Sequence, residues 1–394
     1  MKYSMIVLLP LLWFAGLDSY AISPEEAADA ILGHNGDIMV NELLRDAKNK
    51  ETLSIANAPD PEIEGDYLVA PSGEENRWGL GLSYSFDWPG VYKARRDLGV
   101  ALRQVNNADA LKEIYFKRIE ILDEVWTYLY AKRRLEVMEM VADATDSIAE
   151  LAKMANSGGE LSRLDLLKVA IEQSKIRSMV AAIEDEMQAT LGNLQTFNGG
   201  MSCNIILQSI GNPWNMRPVT PLDSYMNAVS ESPELAKAMA DFALSEKNLK
   251  LAKSERLPGF KVGYAHEYED GIHFNGANVG VSVPLFSSRH KVKAAEAAKA
   301  AAEYRMSVES DKKESEVKSL YNEIMSLDRD LETPLEVFKN NDYTSLLTKA
   351  YKGGELSMTD YLTELSWFYE AHLNFMELQY QRERKLSRLS LLTK

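Results

Sequence analysis

Long stretches of the chain carry apolar residues at helical spacing. From Val91 to Asn156 there is no proline, and apolar positions recur every three or four residues between Leu111 and Ala152. A stripe of this kind is typical of helices that pack as coiled coils. At 1.5 Å per residue, roughly 65 residues make a rod of about 100 Å, far longer than the helices of ordinary globular domains.

The same arrangement occurs twice along the chain. The motif Gly-Gly-Glu-Leu-Ser stands at Gly158–Ser162 and again at Gly353–Ser357, and an aspartate follows each motif at the same distance. Each motif separates two helical patterns, at about 91–156 and 163–196 in the first half and at about 290–351 and 359–392 in the second. We therefore predict two structural repeats, residues 22–197 and 221–394, each with a tight turn at the motif.

Four short segments alternate large apolar residues with small or polar ones. They cover residues about 61–69 and 78–88 in the first repeat and about 259–269 and 277–286 in the second. A period of two predicts strands with one apolar and one polar face. Polar, glycine-bearing loops join the members of each pair, which predicts two hairpins. Each repeat is therefore expected to contain two strands and two long helices.

Three segments fall outside this pattern. Residues 22–56 are expected to form two short amphipathic helices, and residues 198–220 a linker between the repeats; both are predicted to pack around the helical barrel. Residues 1–21 combine basic Lys2, an apolar stretch too short to span a bilayer, and a small-x-small exit at Ala21. These three parts predict a secretory signal peptide cleaved after Ala21; the alternative is a buried N-terminal helix.

Composition narrows the possible partners. The chain has 44 Lys and Arg against 59 Asp and Glu, a formal net charge of −15, which argues against nucleic acid because phosphates demand a basic surface. Cys203 is the one cysteine, so no internal disulfide is possible. After the signal peptide no apolar run approaches the ~18 residues of a transmembrane helix. If the mature chain enters a membrane, we expect it to use strands in a closed barrel.

The number of strands predicts the oligomeric state. Four strands cannot close into a barrel with a lumen, and open sheet edges are not tolerated in lipid. Three copies would supply twelve strands, an even number within the range of membrane barrels. Each strand also has the length that a tilted strand needs to cross the hydrocarbon. We therefore predict a homotrimer whose long helices continue the barrel as a tube.

These features resemble the TolC-like outer-membrane efflux protein family. The resemblance rests on the order of elements, the paired strands, the two turns, and basic helix starts at Lys93–Arg96 and Arg289–Lys291. It implies a mainly α fold with a small membrane β-barrel of twelve strands and a periplasmic α-helical tunnel. It also implies a homotrimer in the Gram-negative outer membrane that docks a periplasmic adaptor and an inner-membrane pump. Phe86–Gly90, with Pro59–Glu62 upstream, is similar to the heavy-metal efflux branch.

The resemblance assigns roles to the two turns and to the residues that flank the second. The turns would be adaptor-docking tips, although glycines at positive φ and serine N-caps also explain a tight helix–helix turn. Tyr351 and Asp360 would close the periplasmic aperture, with three copies of Asp360 forming an acidic ring that favours cations. The alternative for Asp360 is a favourable interaction with the helix dipole. The family pattern has a second acidic residue where this chain has Thr363. The tip residues are Gly158, Gly159, Glu160, Leu161, Ser162, Gly353, Gly354, Glu355, Leu356 and Ser357.

Aromatic side chains in the predicted strands indicate a membrane surface. In a barrel they would face lipid and anchor the strands at its interfaces, whereas in a soluble protein they would form a core. The residues are Trp78, Tyr84, Phe86, Trp88, Phe260 and Tyr264.

No pattern of catalytic chemistry is present in the sequence. It contains no P-loop, no Gly-x-Ser-x-Gly and no His-Glu-x-x-His, so we predict no enzyme, no catalytic residue and no cofactor. His266 and His273 flank one hairpin loop and could face each other. Their spacing does not match a known metal motif, and we predict no metal site.

Three functions stay open at this point. The first is a passive export duct of a tripartite efflux system. The second keeps the fold but exports proteins, as a type I secretion duct; neighbouring genes would distinguish these two. The third is a soluble periplasmic coiled-coil scaffold, in which the alternating segments form an ordinary sheet.

Overall fold

A computed structural model of the chain describes residues 21–71, 76–284, 287–340 and 343–393. Almost all of the predicted signal peptide, residues 1–21, therefore lies outside the described residues. The same is true of residues 285 and 286 at the end of the last predicted strand, and of part of the first hairpin loop.

The described residues are mainly helical, as the sequence predicted. Ten α-helices lie in these described ranges, of which α3 is the longest with 69 residues. None of the described helices combines the length and the apolarity that crossing a membrane requires. The helices are α1 (Pro24–Leu32), α2 (Gly36–Glu51), α3 (Pro89–Ser157), α4 (Arg163–Phe197), α5 (Asn204–Gln208), α6 (Leu222–Ala228), α7 (Pro233–Ser254), α8 (Ser287–Asn340), α9 (Tyr343–Lys352) and α10 (Met358–Ser390), with 3₁₀ turns at Ser54–Ala56 and Val229–Glu231.

Local sequence explains where these helices begin. Ser23 caps α1 in a capping box, because its hydroxyl accepts from the Glu26 N–H while the Glu26 carboxylate accepts from the Ser23 N–H at 2.7 Å. Pro24 occupies the first turn, where its missing N–H costs nothing.

The stretch 290–351, predicted as one helical pattern, is described as α8 and α9 on either side of residues 341–342, and Pro334 lies inside α8.

Two compact units make up the described chain. The first contains residues up to 35, 120–217 and 331–384, and the second contains residues 36–119, 218–330 and those from 385 onward. Helices α3, α8 and α10 contribute residues to both. In the first unit the buried positions of α4, Val169, Ile176 and Ile183, are spaced by seven residues, the heptad period of coiled coils. They pack in one apolar cluster with Met138, Leu365 and Tyr369.

A separate core stabilises the second unit. It is formed by Tyr225, Val229, Val317, Ile324, Leu386 and Leu389, all at most 3% exposed. Val317 and Ile324 again stand seven residues apart on one helix face. This unit also contains the sheet of the molecule.

The sheet has four antiparallel strands in the order β1-β2-β3-β4. Strands β1 (Glu62–Leu68) and β2 (Arg77–Phe86) form one hairpin, and β3 (Gly259–Glu269) and β4 (Ile272–Ser282) form the other. The two hairpins are joined by pairing of β2 with β3, in a register that places Phe86 opposite Phe260. Strands β1 and β4 are thus edge strands in the described chain.

Residues of the linker also pack within the first unit. Ile22 and Ile210 form a parallel bridge, in which the Ile22 N–H donates to the carbonyl of Ser209 at 2.9 Å. Cys203 is fully buried. Burial raises the pKa of its thiol, so it remains in the inert neutral form.

Candidate functional site

The register of the sheet creates two faces of opposite character. Residues paired across an antiparallel sheet project to the same side. One side is apolar and exposed, with Tyr264 52% and Val279 77% accessible. An exposed apolar face of this extent marks a surface that contacts another protein or a membrane. The apolar face contains Ile63, Tyr67, Trp78, Leu80, Leu82, Tyr84, Phe86, Phe260, Val262, Tyr264, Val279 and Val281.

The predicted strand aromatics lie on this face or at its end. Trp78, Tyr84, Phe86, Phe260 and Tyr264 are all on the apolar face. The rings of Phe86 and Phe260 stack with centroids 5.5 Å apart. Trp88 lies two residues beyond the end of β2, and its ring centroid is 6.0 Å from that of Phe260. Contact of these side chains with lipid stays a prediction.

The opposite face is charged and rich in small residues. Arg77 donates to Glu267 at 2.7 Å, and the Lys261 ammonium lies 3.0 Å from Glu62 and 3.3 Å from Glu64. These ion pairs were not identified from the sequence. The period-two alternation could have predicted them, because the charged residues occupy the positions between the large apolar ones. A face of this composition is suited to water.

The two Gly-Gly-Glu-Leu-Ser motifs fold alike, and both lie in the first unit. Gly159 has φ of 81° and Gly354 has φ of 77°, a left-handed conformation that favours glycine. The Glu160 N–H donates to the carbonyl of Ala155 at 2.9 Å, and the Glu355 N–H makes the matching bond of 3.0 Å. Each motif is therefore a Schellman turn that ends one helix and leads into the next.

The residues that follow the turns also match. The Ser162 hydroxyl donates to the Asp165 carboxylate at 2.7 Å and accepts from the Asp165 N–H at 3.1 Å. Ser357 and Asp360 show the same two bonds at the same distances. The hydrogen bond from Ser162, together with Lys168 at 3.0 Å, lowers the pKa of Asp165 below its ordinary value. Ser162 is therefore the N-cap of α4, and the carboxylate of Asp165 holds the serine side chain in place; Ser357 and Asp360 repeat this arrangement.

The two predicted aperture residues have different surroundings. Asp360 is exposed in the first turn of α10. Tyr351, near the end of α9, has its ring centroid 5.3 Å from that of Tyr361, and burial raises its pKa. Glu364, beside the departure from the family pattern at Thr363, accepts from the Tyr343 hydroxyl at 2.7 Å. Glu364 is thus engaged within its own chain, and Thr363 is exposed.

The next feature concerns side chains that could bind a metal ion. In the part of the chain that the structure describes, no three His, Cys, Asp or Glu residues are arranged to hold a metal ion.

Sequence comparison relates the second half of the chain to a known family. Residues 225–393 match the model of the outer membrane efflux protein family. No curated protein sequence matches the chain.

Solved structures share the fold over almost the whole chain. A membrane protein from Pseudomonas aeruginosa is 15% identical with a TM-score of 0.73, and the match covers 96% of this chain and 94% of that one. The CmeC outer membrane channel of Campylobacter jejuni is 15% identical with a TM-score of 0.69, covering 94% and 85%. The open state of the Neisseria gonorrhoeae MtrE outer membrane channel is 14% identical with a TM-score of 0.64, covering 97% and 93%.

These comparisons define the class of fold. The chain has the architecture of TolC-like outer-membrane channels, as the sequence predicted. The matched family is described as outer membrane efflux proteins, and CmeC and MtrE are described as outer membrane channels. The family match over residues 225–393 and the fold shared over almost the whole chain therefore agree with each other.

Proposed function

We propose that three copies of this chain form a passive channel-tunnel in the outer membrane, as the outer component of a tripartite efflux system. The observation that carries the proposal is the two-faced sheet with unpaired edges. Its apolar face, with Trp78 and Tyr264, would contact lipid, and its face with Arg77 and Lys261 would line a water-filled lumen. Neighbouring copies would pair the edges and complete a twelve-stranded barrel.

The helical part would continue this barrel as a periplasmic tunnel. The exposed Schellman turns at Gly158–Ser162 and Gly353–Ser357 would be the tips that dock a periplasmic adaptor, since rigid helices hold them in a fixed conformation. Asp360 and Tyr351 would form the aperture next to the second tip. As the resemblance implies, the inner-membrane pump would supply the energy, and the channel would pass its substrate without chemistry of its own.

The mass of the protein in detergent tests the trimer. Protein should be extracted from membranes after a carbonate wash, purified, and measured by native mass spectrometry. We expect the mass of three mature chains, cleaved after Ala21. A monomer, or release of the chain by carbonate alone, would contradict the proposal and favour the soluble scaffold.

The transported substrate distinguishes two versions of the proposed channel, one for small molecules and one for proteins. A gene for a proton-driven pump beside this one would favour small-molecule efflux, and a gene for a peptide-exporting ATPase would favour protein secretion. The similarity of Phe86–Gly90 and Pro59–Glu62 to the heavy-metal branch makes metal ions a cargo to test first. Deletion of the gene would then lower the tolerated concentration of a transported metal salt, and the intact gene would restore it.

A further inference from the structure

Two histidine rings face each other across the hairpin of β3 and β4. In the strand register His266 is opposite Asn275 and Tyr268 is opposite His273, so the two histidines are diagonal neighbours. They lie on the same side of the sheet as the apolar face, at the end next to the turn and beyond the pair of Tyr264 and Ala277. Diagonal neighbours in an antiparallel pair are within reach of large side chains. The ring centroids are 5.3 Å apart, and Nδ1 of His273 lies 3.2 Å from Nε2 of His266.

Neighbouring polar groups select one tautomer of His266. The Oδ1 atom of Asn275 lies 2.8 Å from Nδ1 of His266 and also accepts a hydrogen bond of 2.6 Å from the Tyr264 hydroxyl. An amide oxygen is an acceptor, so Nδ1 of His266 carries the proton and its Nε2 keeps a lone pair directed at His273. Carbonyl oxygens that bind the second ring nitrogen in this way orient histidine ligands at metal sites.

Aromatic rings restrict the movement of both imidazoles. The Trp78 ring centroid is 5.5 Å from that of His266, and the Tyr268 ring centroid is 5.1 Å from that of His273. Trp78 and Tyr268 also stack on each other at 6.0 Å. The histidine pair is therefore a supported arrangement of four rings, and not two surface side chains that meet by chance.

The nitrogen spacing suits two ligands of one metal ion. With metal–nitrogen bonds of about 2.0–2.1 Å, adjacent ligands are about 2.9 Å apart in a square-planar site and about 3.4 Å apart in a tetrahedral one. The observed 3.2 Å lies between these values. Imidazole nitrogen is a good ligand for Zn²⁺, Cu²⁺ and Ni²⁺.

We propose that His266 and His273 bind one divalent transition-metal ion of this group, through Nε2 of His266 and Nδ1 of His273. His273 is exposed, so the proton on its Nδ1 can exchange through solvent to Nε2 when the ion binds. Water fills the remaining positions, because no third His, Cys, Asp or Glu of the described chain joins the pair. The ion ties β3 to β4 close to their turn, and it is a bound ion and not the cargo of the channel.

Binding of Cu²⁺ to the full-length protein tests the site. The detergent-purified protein is freed of metal with a chelator and titrated by equilibrium dialysis, and the electron paramagnetic resonance spectrum is recorded. We expect one ion per chain with two coordinated nitrogens. The variants His266→Gln and His273→Gln should each weaken binding at least tenfold. Asn275→Ala should weaken it by about tenfold, as loss of a group that orients a ligand does.

His290→Gln is the matched control, since His290 is exposed and belongs to another element. It should leave binding unchanged, and circular dichroism should show that all variants keep the helical fold. Equal affinity in the double variant His266→Gln/His273→Gln and the original protein would overturn the proposal. So would a spectrum without nitrogen ligands, or an equal loss of binding in His290→Gln.

Discussion

Arg217 joins two buried carboxylates of the first unit. It donates to Glu25 at 2.8 Å and to Glu383 at 2.9 Å, and both carboxylates are 1% exposed. Arg382, itself buried, pairs with Glu383 and donates to the carbonyl of Arg217 at 2.7 Å. The cluster fixes the start of α1, the linker and the end of α10 within that unit. Charges removed from water in this way are tolerated because each has a partner.

Neutralising one member of this cluster should be costly. Glu383→Gln keeps the shape but removes one of the carboxylates that neutralise Arg217 and Arg382, and breaking a buried ion pair from one side costs about 3–5 kcal/mol of unfolding free energy. Asp146→Asn is the control, since Asp146 pairs with Arg177 at the same 2.9 Å but with exposed side chains. An exposed pair contributes about 1 kcal/mol or less. Thermal unfolding followed by circular dichroism should separate the two variants by several degrees, and equal midpoints would contradict this account.

The paired caps at the turns allow a controlled test of the aperture. Asp360→Ala should raise conductance in planar bilayers and reduce cation selectivity, because three negative charges are removed from the predicted ring. Asp165→Ala removes the equivalent carboxylate after the other turn, where Ser162 makes the same two bonds. Loss of the hydrogen bond to the capping serine would therefore affect both variants similarly. Unchanged current in Asp360→Ala, or the same change in Asp165→Ala, would remove Asp360 from the gate.

Elements were easier to predict than the contacts between them. The pattern predicted a helix at about 91–156, and α3 covers Pro89–Ser157, because a periodic stripe without proline specifies a helix locally. Likewise, the alternation predicted a strand at about 78–88, and β2 covers Arg77–Phe86. The pairing of Arg217 with Glu25, 192 residues apart, has no such local signal. The histidine pair needed the strand register, which the sequence suggested but did not determine.

Adjacent residues of β4 test what each face of the sheet contacts. Val279 lies on the apolar face and Asn278 on the charged face, and both are exposed. Lysine on a lipid-facing strand costs about 2–4 kcal/mol near the middle of the bilayer. We therefore expect Val279→Lys to reduce the amount of trimer recovered from membranes, whereas Asn278→Lys should assemble and shift ion selectivity. Equal tolerance of both substitutions would indicate a sheet with water on both sides.

Closure of the sheet is a property of the whole assembly. Strands β1 and β4 each have one partner in the described chain, and unpaired strand edges are unstable in lipid and prone to association in water. With an even number of antiparallel strands in each copy, β4 of one copy would run antiparallel to β1 of the next. A closed ring limits the number of copies, whereas an open sheet would grow without limit.

Engineered disulfides between the edge strands distinguish these outcomes. Each variant carries two new cysteines, one at Gly65 in β1 and one at Ala277, Val279 or Val281 in β4. The natural Cys203 is buried, so a disulfide between copies should form only through the new cysteines. These positions share the apolar face, and at least one pair should come within the Cα distance of about 4.4–6.8 Å that a disulfide requires. Non-reducing electrophoresis after oxidation in membranes should then show monomer, dimer and trimer and nothing larger. Gly65→Cys alone should give no ladder. Bands beyond the trimer would mean that the sheet remains open, and absence of bands for all three pairs would mean that copies do not meet through these edges.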